Sequence, residues 1–441
     1  MSFEEVVTGT TSMLWNAIKA AKVAVDADYR SSPHSHVVAP DTNPIVITPN
    51  KNMNKNTLEW LNSVGLKINP FATLDASEDP FIPFYLVDHD QYKSISGDVT
   101  SFVFAPPGSG KSAFRVRLAR DCRVGKNGRK IFPIIYNLPN PESVKNSNLG
   151  LNLHYKRLAK SADRELLLYL VYHATSIIKD KNLLMEICQI FDFNSPVDYL
   201  QQMVDKGSVK PLLDSFDKTA GLLPNPPSKK DIILLVEQLN KFRNPAVAKL
   251  EPRQRFEKIV GLILEKLGYE AIYILIDGVD GYVETGEDAK KGVEAISWLL
   301  EKNNEWRENK IFTKYFLPIE MQDELQFLLT YKSEVTTITW DADALGEVVQ
   351  QRLQEASGGK YSSLRAISSL PLRGAKQSPE EVLAQEIVKL ANPNPRDLIK
   401  TVDRLFVYHV QNEVQEKLTP KDMAAAVDWI RKERSLKPRH A

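Results

Sequence analysis

The segment from Ala105 to Ser112, which reads APPGSGKS, has the residue types needed to bind a phosphate group. Gly108 and Gly110 allow the backbone to curl without a Cβ clash, so that its N–H groups face a single anion. Lys111 would bring an ammonium group to the same phosphates, and the Ser112 hydroxyl would bind Mg²⁺. A helix that starts at this point would add the positive end of its dipole.

The spacing of these residues matches the P-loop pattern, with Ala105 in place of the usual first glycine. An apolar run, VTSFVFA at residues 99–105, precedes the loop, and a helical pattern follows it to Arg120. This order of strand, loop and helix is what a P-loop requires. We therefore expect one continuous stretch to bind the phosphates: Pro107, Gly108, Ser109, Gly110, Lys111, Ser112 and Ala113.

A second acidic segment, ILIDGVDGYVET, occupies residues 274–285. Asp277 ends an apolar run, and a carboxylate at the end of a strand can share Mg²⁺ with the loop serine. Gly278 comes next and has no side chain with which to activate a water molecule. Asp280 is the following acid and is either the general base or the cap of a loop, with Glu284 behind it.

Continuous apolar runs predict a parallel sheet that is covered on both faces. These runs lie at residues 99–105, 131–136, 272–276, 311–317 and 335–340. Residues 140–268 contain helical patterns and no convincing strand, which indicates a helical insertion. After Trp340 the chain is mainly helical, with loops expected around 357–363 and 371–378.

Three regions follow from this pattern: an N-terminal arm and linker (1–55), a P-loop core (56–340) and a C-terminal helical region (341–441). The predicted fold class is α/β, a parallel-sheet P-loop NTPase core with a large helical insertion and a C-terminal helical domain, which the family resemblance given below implies is a lid. His34 and His36 lie in a linker rich in Pro, Ser and Asn. Without acidic or Cys neighbours, we interpret them as loop residues and not as metal ligands.

The composition is that of an ordinary globular protein, with 43% hydrophobic and 26% charged residues among 441. The 57 Lys and Arg residues balance 56 Asp and Glu residues, so only a local patch such as RKERSLKPRH (431–440) is basic. Cys122 and Cys188 are too few and too distant for a disulfide framework or a zinc cluster. No long apolar run or secretory start is present, so we expect a cytoplasmic protein with no membrane partner.

The Asp277-Gly278-Val279-Asp280 arrangement resembles the Asp-Gly-x-Asp pattern of STAND NTPases, and of the NACHT type in particular. In that group a small residue follows the Walker B Asp, and a second acid comes three residues after it. Here Gly281 stands where the family pattern usually continues with another acid, and this departure implies slow hydrolysis. The resemblance to the wider AAA+ and STAND group covers residues 58–430, apart from the helical insertion.

Other segments resemble parts of bacterial and archaeal ATPases of this group. GLKINPFATLDASEDPFIPFYLVD, here called the leading segment (65–88), is similar to the stretch before the first strand. NPRDLIKTVDRL, with Arg396, is similar to the sensor 2 helix of an origin-recognition-type lid, and LTPKDMAAAV to the closing helix of that lid. ITWDADALGEVVQQRL, with Arg352, resembles the segment after the last core strand.

The resemblance implies a role for each arginine, and each role has an alternative. Arg396 either reaches the γ-phosphate or forms a surface salt bridge on its helix. Arg352 is either an arginine finger for a neighbouring subunit or a residue on the face of a helix. The fourth apolar run is not followed by an obvious polar sensor 1 residue. The candidates are Lys314, which lies within the run, and Glu320, which lies just after it.

Together these features predict an ATP-binding molecular switch that uses Mg²⁺ and hydrolyses ATP slowly. The resemblance implies that the protein forms a homo-oligomer. The switch would control either this assembly or a separate effector protein, in bacterial signalling or antiviral defence against phages. The alternative is a DNA-acting AAA+ ATPase for replication initiation or transposition targeting, which the balanced charge and the lack of a recognisable DNA-binding module disfavour. A third hypothesis, a nucleotide-binding scaffold without useful turnover, follows from Gly278 and Gly281.

Overall fold

The structure is a computed structural model that describes residues 55–138, 147–190, 229–242, 250–326, 332–412 and 416–436, apart from residues 77, 80, 88, 282 and 287. The predicted N-terminal arm, with His34 and His36, lies outside the described residues. So do residues 191–228 of the predicted insertion and residues 437–441 of the basic C-terminal run.

The sheet has five parallel strands: β1 (Thr100–Ala105), β2 (Ile131–Asn137), β3 (Ala271–Asp277), β4 (Ile311–Pro318) and β5 (Ser333–Thr337). Their order in the sheet is β2-β3-β4-β1-β5, so β1 and β3 flank β4. Four strands confirm the predicted runs to within a residue at each end. The fifth begins and ends earlier than the predicted 335–340, because the chain leaves the sheet after Ile338, whose N–H donates to the Phe104 carbonyl (2.9 Å).

Helices make up most of the remaining described chain. Before the last strand they are α1 (Lys55–Ser63), α2 (Ile82–Tyr85), α3 (Gln91–Ile95), α4 (Lys111–Val124), α5 (Ser147–Tyr172), α6 (Ala174–Ile177), α7 (Lys181–Cys188), α8 (Lys229–Phe242), α9 (Pro252–Gly261), α10 (Val283–Gly286), α11 (Ala289–Glu308) and α12 (Gln322–Leu325). After it they are α13 (Ala342–Ala356), α14 (Leu370–Arg373), α15 (Pro379–Val388), α16 (Pro395–Asn412) and α17 (Pro420–Leu436).

Most of these helices lie where the sequence predicts them. The described part of the insertion is helical, and so is most of the chain after Trp340, although α14 extends into the stretch 371–378 expected to be a loop. Among the described helices, none combines the length and the apolar character that crossing a bilayer requires.

The strands direct alternate side chains into two cores, as the two-residue period of a strand dictates. In β1, Phe102 and Phe104 belong to one core, and Val103 and Ala105 belong to the other. Helices α5, α8, α9 and α11 cover the first face, and α3 and α4 cover the second. Burial on both faces explains why β2 and β3 in particular are almost continuously apolar.

A third core lies within the C-terminal helical region, called the lid below after its predicted role, and includes the start of the described chain. Helices α13, α15, α16 and α17 pack with α1 and with the beginning of the leading segment. The Trp60 ring lies 5.3 Å from the Phe406 ring, and the Phe71 ring lies 5.6 Å from it. Helix α1 falls in the region 56–340 defined from the sequence, yet its apolar side chains pack on the lid.

Polar contacts determine where α16 begins. Asn394 Oδ1 accepts a hydrogen bond from the Asp397 N–H (3.0 Å), and Pro395 occupies the first helical position. The Asp397 carboxylate also accepts hydrogen bonds from Asn394 Nδ2 (3.0 Å) and from Arg434 of α17. These contacts fix the start of the helix from which Arg396 projects. Because one of them comes from Arg434, part of the basic C-terminal run packs inside the lid.

Candidate functional site

The segment 105–112, predicted to be a P-loop and called the P-loop below, leaves the carboxyl end of β1 and leads directly into α4. Gly108 and Gly110 have φ angles of +88° and +93°, a left-handed conformation that residues with a Cβ rarely adopt. Lys111 is buried, and its Nζ donates to the Ala105 carbonyl (2.9 Å). Ser112 follows it in the first turn of α4. The predicted phosphate-binding residues therefore form one loop at the amino end of one long helix.

Two ion pairs join α4 to the segment that ends β3. Lys111 Nζ lies 3.3 Å from Asp280 Oδ2. One helical turn later, Arg115 Nε donates to Asp277 Oδ2 (2.9 Å), and the two side chains are only 9% and 10% exposed. Sequence reasoning missed Arg115. The signal that would have found it is its i, i+4 spacing from Lys111, which places both cations on one helix face.

Asp277 and Ser112 offer oxygen ligands of the kind that Mg²⁺ prefers. Asp277 Oδ1 accepts a hydrogen bond from the Gly278 N–H (2.8 Å), so each carboxylate oxygen is held by a neighbour. In the described part of the chain, no three His, Cys, Asp or Glu side chains cluster in a way that could hold a metal ion. Mg²⁺ commonly takes one or two protein carboxylates and completes its shell with phosphate and water oxygens, so the residues present fit it.

A cleft of about 850 Å³ lies between the P-loop, the leading segment and the lid. Its volume falls within the range of about 300–1,000 Å³ that small-molecule and cofactor sites occupy. The polar groups that line it include those of Lys111, Ser112, Asp280 and Arg396, and its apolar lining includes Ile82, Val87, Val348 and Ile399. One cleft therefore combines cationic and hydroxyl groups with an apolar surface.

The first turn of the lid helix α16 touches the P-loop. The Arg396 N–H donates to the Gly108 carbonyl at the long distance of 3.4 Å. A Cβ at Gly108 would lie 2.9 Å from Asn394 Oδ1, which is closer than real Cβ contacts, and 3.0 Å from Arg396 Cβ, which is tighter than most of them. The exposed Arg396 side chain lines the cleft. Lid and P-loop are thus in direct backbone contact.

Arg352 lies in the floor of the same cleft but is turned inward. It is 3% exposed, donates to the Pro70 carbonyl, lies 3.5 Å from Asp79 Oδ2 and places its guanidinium 4.6 Å from the Tyr85 ring centre. Burial lowers the pKa of Arg352 and raises the pKa of Asp79. This arrangement joins α13 to the leading segment. It does not fit an arginine finger, which has to extend out of its own subunit.

The two sensor 1 candidates lie away from the cleft lining. Lys314 pairs in register with Ser101, near the amino end of β1, whereas the P-loop follows the carboxyl end. It is fully buried and donates to the carbonyls of Gly97 and Val99 (both 2.6 Å), and burial lowers the pKa of Lys314 to about 7. Glu320 is exposed just beyond β4.

The fold and this site together define an α/β protein whose parallel five-stranded sheet is compatible with a P-loop nucleotide-binding core. No protein-family model matches the chain, and a comparison with curated proteins finds no significant similarity.

Proposed function

We propose that the cleft binds ATP with Mg²⁺ and that the protein is a slowly hydrolysing, ATP-dependent switch. The observation that carries this proposal is the contact between the first turn of α16 and the P-loop, because it brings Arg396 and Lys111 to one cleft. A phosphate that binds the loop then meets groups from the core and from the lid. Contacts of this kind are a well-attested way for a γ-phosphate to change a domain arrangement.

The phosphates would lie against the backbone N–H groups of residues 107–113 and the positive end of α4. Lys111 would exchange its ion pair with Asp280 for the phosphate oxygens. Ser112 and Asp277 would hold Mg²⁺, which neutralises charge on the phosphate oxygens when it is bound. Arg115 keeps the Asp277 carboxylate in position from the neighbouring turn of α4.

The apolar part of the cleft supports binding of the base. Ile82 and Val87 come from the leading segment, and Val348 and Ile399 come from the lid helices α13 and α16. A flat purine ring buries apolar area between such side chains at a gain of roughly 25 cal/mol per Å². The choice of adenine over guanine rests on the family resemblance.

Asp280 is the residue that we assign to activation of water. Its side chain is 31% exposed and faces the cleft, so it can contact solvent that the buried Asp277 cannot reach as freely. In the structure this carboxylate is engaged in the ion pair with Lys111. Gly278 supplies no second acid. These features support slow hydrolysis and a bound state that persists.

Arg396 would contact the γ-phosphate and so make the lid position depend on whether ATP or ADP is bound. Loss of that contact after hydrolysis would release the lid and change assembly of the protein or its contact with an effector. A homo-oligomer in the cytoplasm, acting in bacterial signalling or phage defence, is the setting that the family resemblance favours.

The test compares solution mass by light scattering in a non-hydrolysable ATP analogue and in ADP. We expect a larger assembly with the ATP analogue alone in the wild-type protein and in Lys93→Ala, whose side chain is 77% exposed. Lys111→Ala should lose nucleotide binding, and Arg396→Ala should bind nucleotide but show the same mass in both states. Equal mass of the wild type in both nucleotides would refute the assembly switch, and wild-type protein that binds neither nucleotide would refute the site.

A further inference from the structure

Within the described residues, the chain passes between the sheet and the lid twice, at residues 87–92 and 338–345. In the first passage, Val87 packs in the lid core and Tyr92 packs in the core beneath α4. In the second passage, Ile338 packs in the core beneath α4 and Leu345 packs in the lid core. The two passages, here called the core–lid junction, contact each other at His89.

His89 is buried and ties the two passages together. Its Nε2 bonds to the Thr339 carbonyl (3.0 Å), and its ring lies 4.8 Å from the Trp340 ring in an edge-on arrangement. A carbonyl oxygen can only accept, so Nε2 carries the proton. Movement of the lid about this junction therefore acts on both passages at once.

Trp340 extends from this junction to the P-loop. Its indole N–H donates to the Ser109 carbonyl (3.0 Å), and a Cβ at Gly110 would lie 3.8 Å from its ring. The same ring packs against the lid core and against the core beneath α4, and it lines the cleft. A single side chain thus contacts the loop, both cores and the proposed ligand site.

We propose that Trp340 is a positioning residue that couples the conformation of the P-loop to the core–lid junction. The Ser109 carbonyl and the Gly110 N–H belong to one planar trans peptide and point in opposite directions. A bond that holds the carbonyl therefore also sets the direction of an N–H in the phosphate-binding loop. This inference rests on the proposed function, since nucleotide is the ligand whose binding to the P-loop would change the core–lid junction.

The direct test is Trp340→Phe, which keeps an aromatic ring and removes the N–H. Its matched control is Trp429→Phe in α17, where the ring packs 5.4 Å from the Arg404 guanidinium and away from the loop. Loss of one hydrogen bond to a largely enclosed carbonyl should weaken binding of a fluorescent ATP analogue about tenfold. At saturating analogue, hydrogen exchange should show protected P-loop amides but less protection at the start of α16 than in the wild type. The control should match the wild type in both measurements.

Unchanged affinity together with full α16 protection in Trp340→Phe would overturn the inference while the proposed function stands. Wild-type protein that binds no nucleotide would overturn both. If circular dichroism shows that Trp340→Phe is unfolded, His89→Leu decides the matter. That variant removes the hydrogen bond between the two passages and keeps the bond from Trp340 to the Ser109 carbonyl. It should therefore bind the analogue with wild-type affinity and lose hydrogen-exchange protection in α16. Full protection in His89→Leu would overturn the inference.

Discussion

The Lys111 ammonium lies 3.3 Å from the Asp280 carboxylate, so the P-loop cation is held by the acid that we assign to water activation. A phosphate that binds Lys111 has to compete with Asp280 for it. Once the phosphate has taken Lys111, the Asp280 carboxylate is released from the ion pair and can contact a water molecule in the cleft. Binding of the substrate would thereby prepare the base for the reaction.

The first prediction concerns this competition. Asp280→Asn should bind ATP a few-fold more tightly and hydrolyse it more slowly, because the variant loses both a competitor for Lys111 and the base. Titration calorimetry and phosphate release measure the two effects separately. Asp90→Asn, at a side chain that is 96% exposed, is the control and should change neither. Weaker binding in Asp280→Asn would show that the residue supports the loop and does not compete with phosphate.

The second prediction concerns the buried pair of Arg115 and Asp277. Arg115→Met should lower the free energy of unfolding by about 3–5 kcal/mol, because it leaves an uncompensated carboxylate in a buried site. Adding Asp277→Leu should recover most of that loss, since neither charge is then buried alone. Urea denaturation measures both. Arg253→Met breaks an exposed pair with Glu257 and should cost less than about 1 kcal/mol. Additive losses in the double variant would contradict the pairing.

The third prediction concerns the contact between lid and loop. Gly108→Ala should weaken ATP binding at least about tenfold, because alanine is strained at a left-handed φ by about 1–2 kcal/mol and its Cβ would press on the start of α16. Gly346→Ala is the control, since a Cβ there meets no atom within 4 Å. Wild-type affinity in Gly108→Ala would mean that lid and loop separate when nucleotide binds.

The fourth prediction concerns Lys314, whose pKa burial lowers to about 7. The unfolded chain keeps this proton to about pH 10.4, so between these values the unfolded state binds more protons and the free energy of unfolding rises with pH. The wild type should therefore gain stability relative to Lys314→Met from pH 7 to pH 9, by up to about 1.4 kcal/mol per pH unit. Lys93→Met should show no such trend, and a flat difference would mean that Lys314 stays charged.

The features that could be predicted from the sequence are local ones. A strand, a loop of glycines and a helix follow one another within residues 100–124 around Lys111, and each element has its own pattern. The position of Asp277 at the end of a strand was predictable in the same way, because it ends an apolar run. The strand runs were also recognisable, since burial on both faces leaves them mostly apolar, with exceptions such as Lys314 in β4.

The features that could not be predicted depend on contacts between distant parts of the chain. Trp340 reaches Ser109 across 231 residues, and Arg115 reaches Asp277 across 162 residues. Lys314 is a sensor candidate from the sequence alone, because an apolar run does not show near which edge of the sheet a polar side chain within it lies. Arg352 could be assigned to the interior only once the leading segment, with Asp79, was seen to pack against α13.

The lid core, which joins α1 to α16 and α17, also constrains the order in which the protein can fold during its synthesis. Trp60 and Phe71 leave the ribosome more than 300 residues before Phe406, the ring against which both pack. Domains generally fold as units while the chain emerges. The sheet can therefore form around the P-loop while α1 still exposes its apolar face. That interval is when α1 is open to a chaperone or to aggregation, and it ends only when the lid has been made.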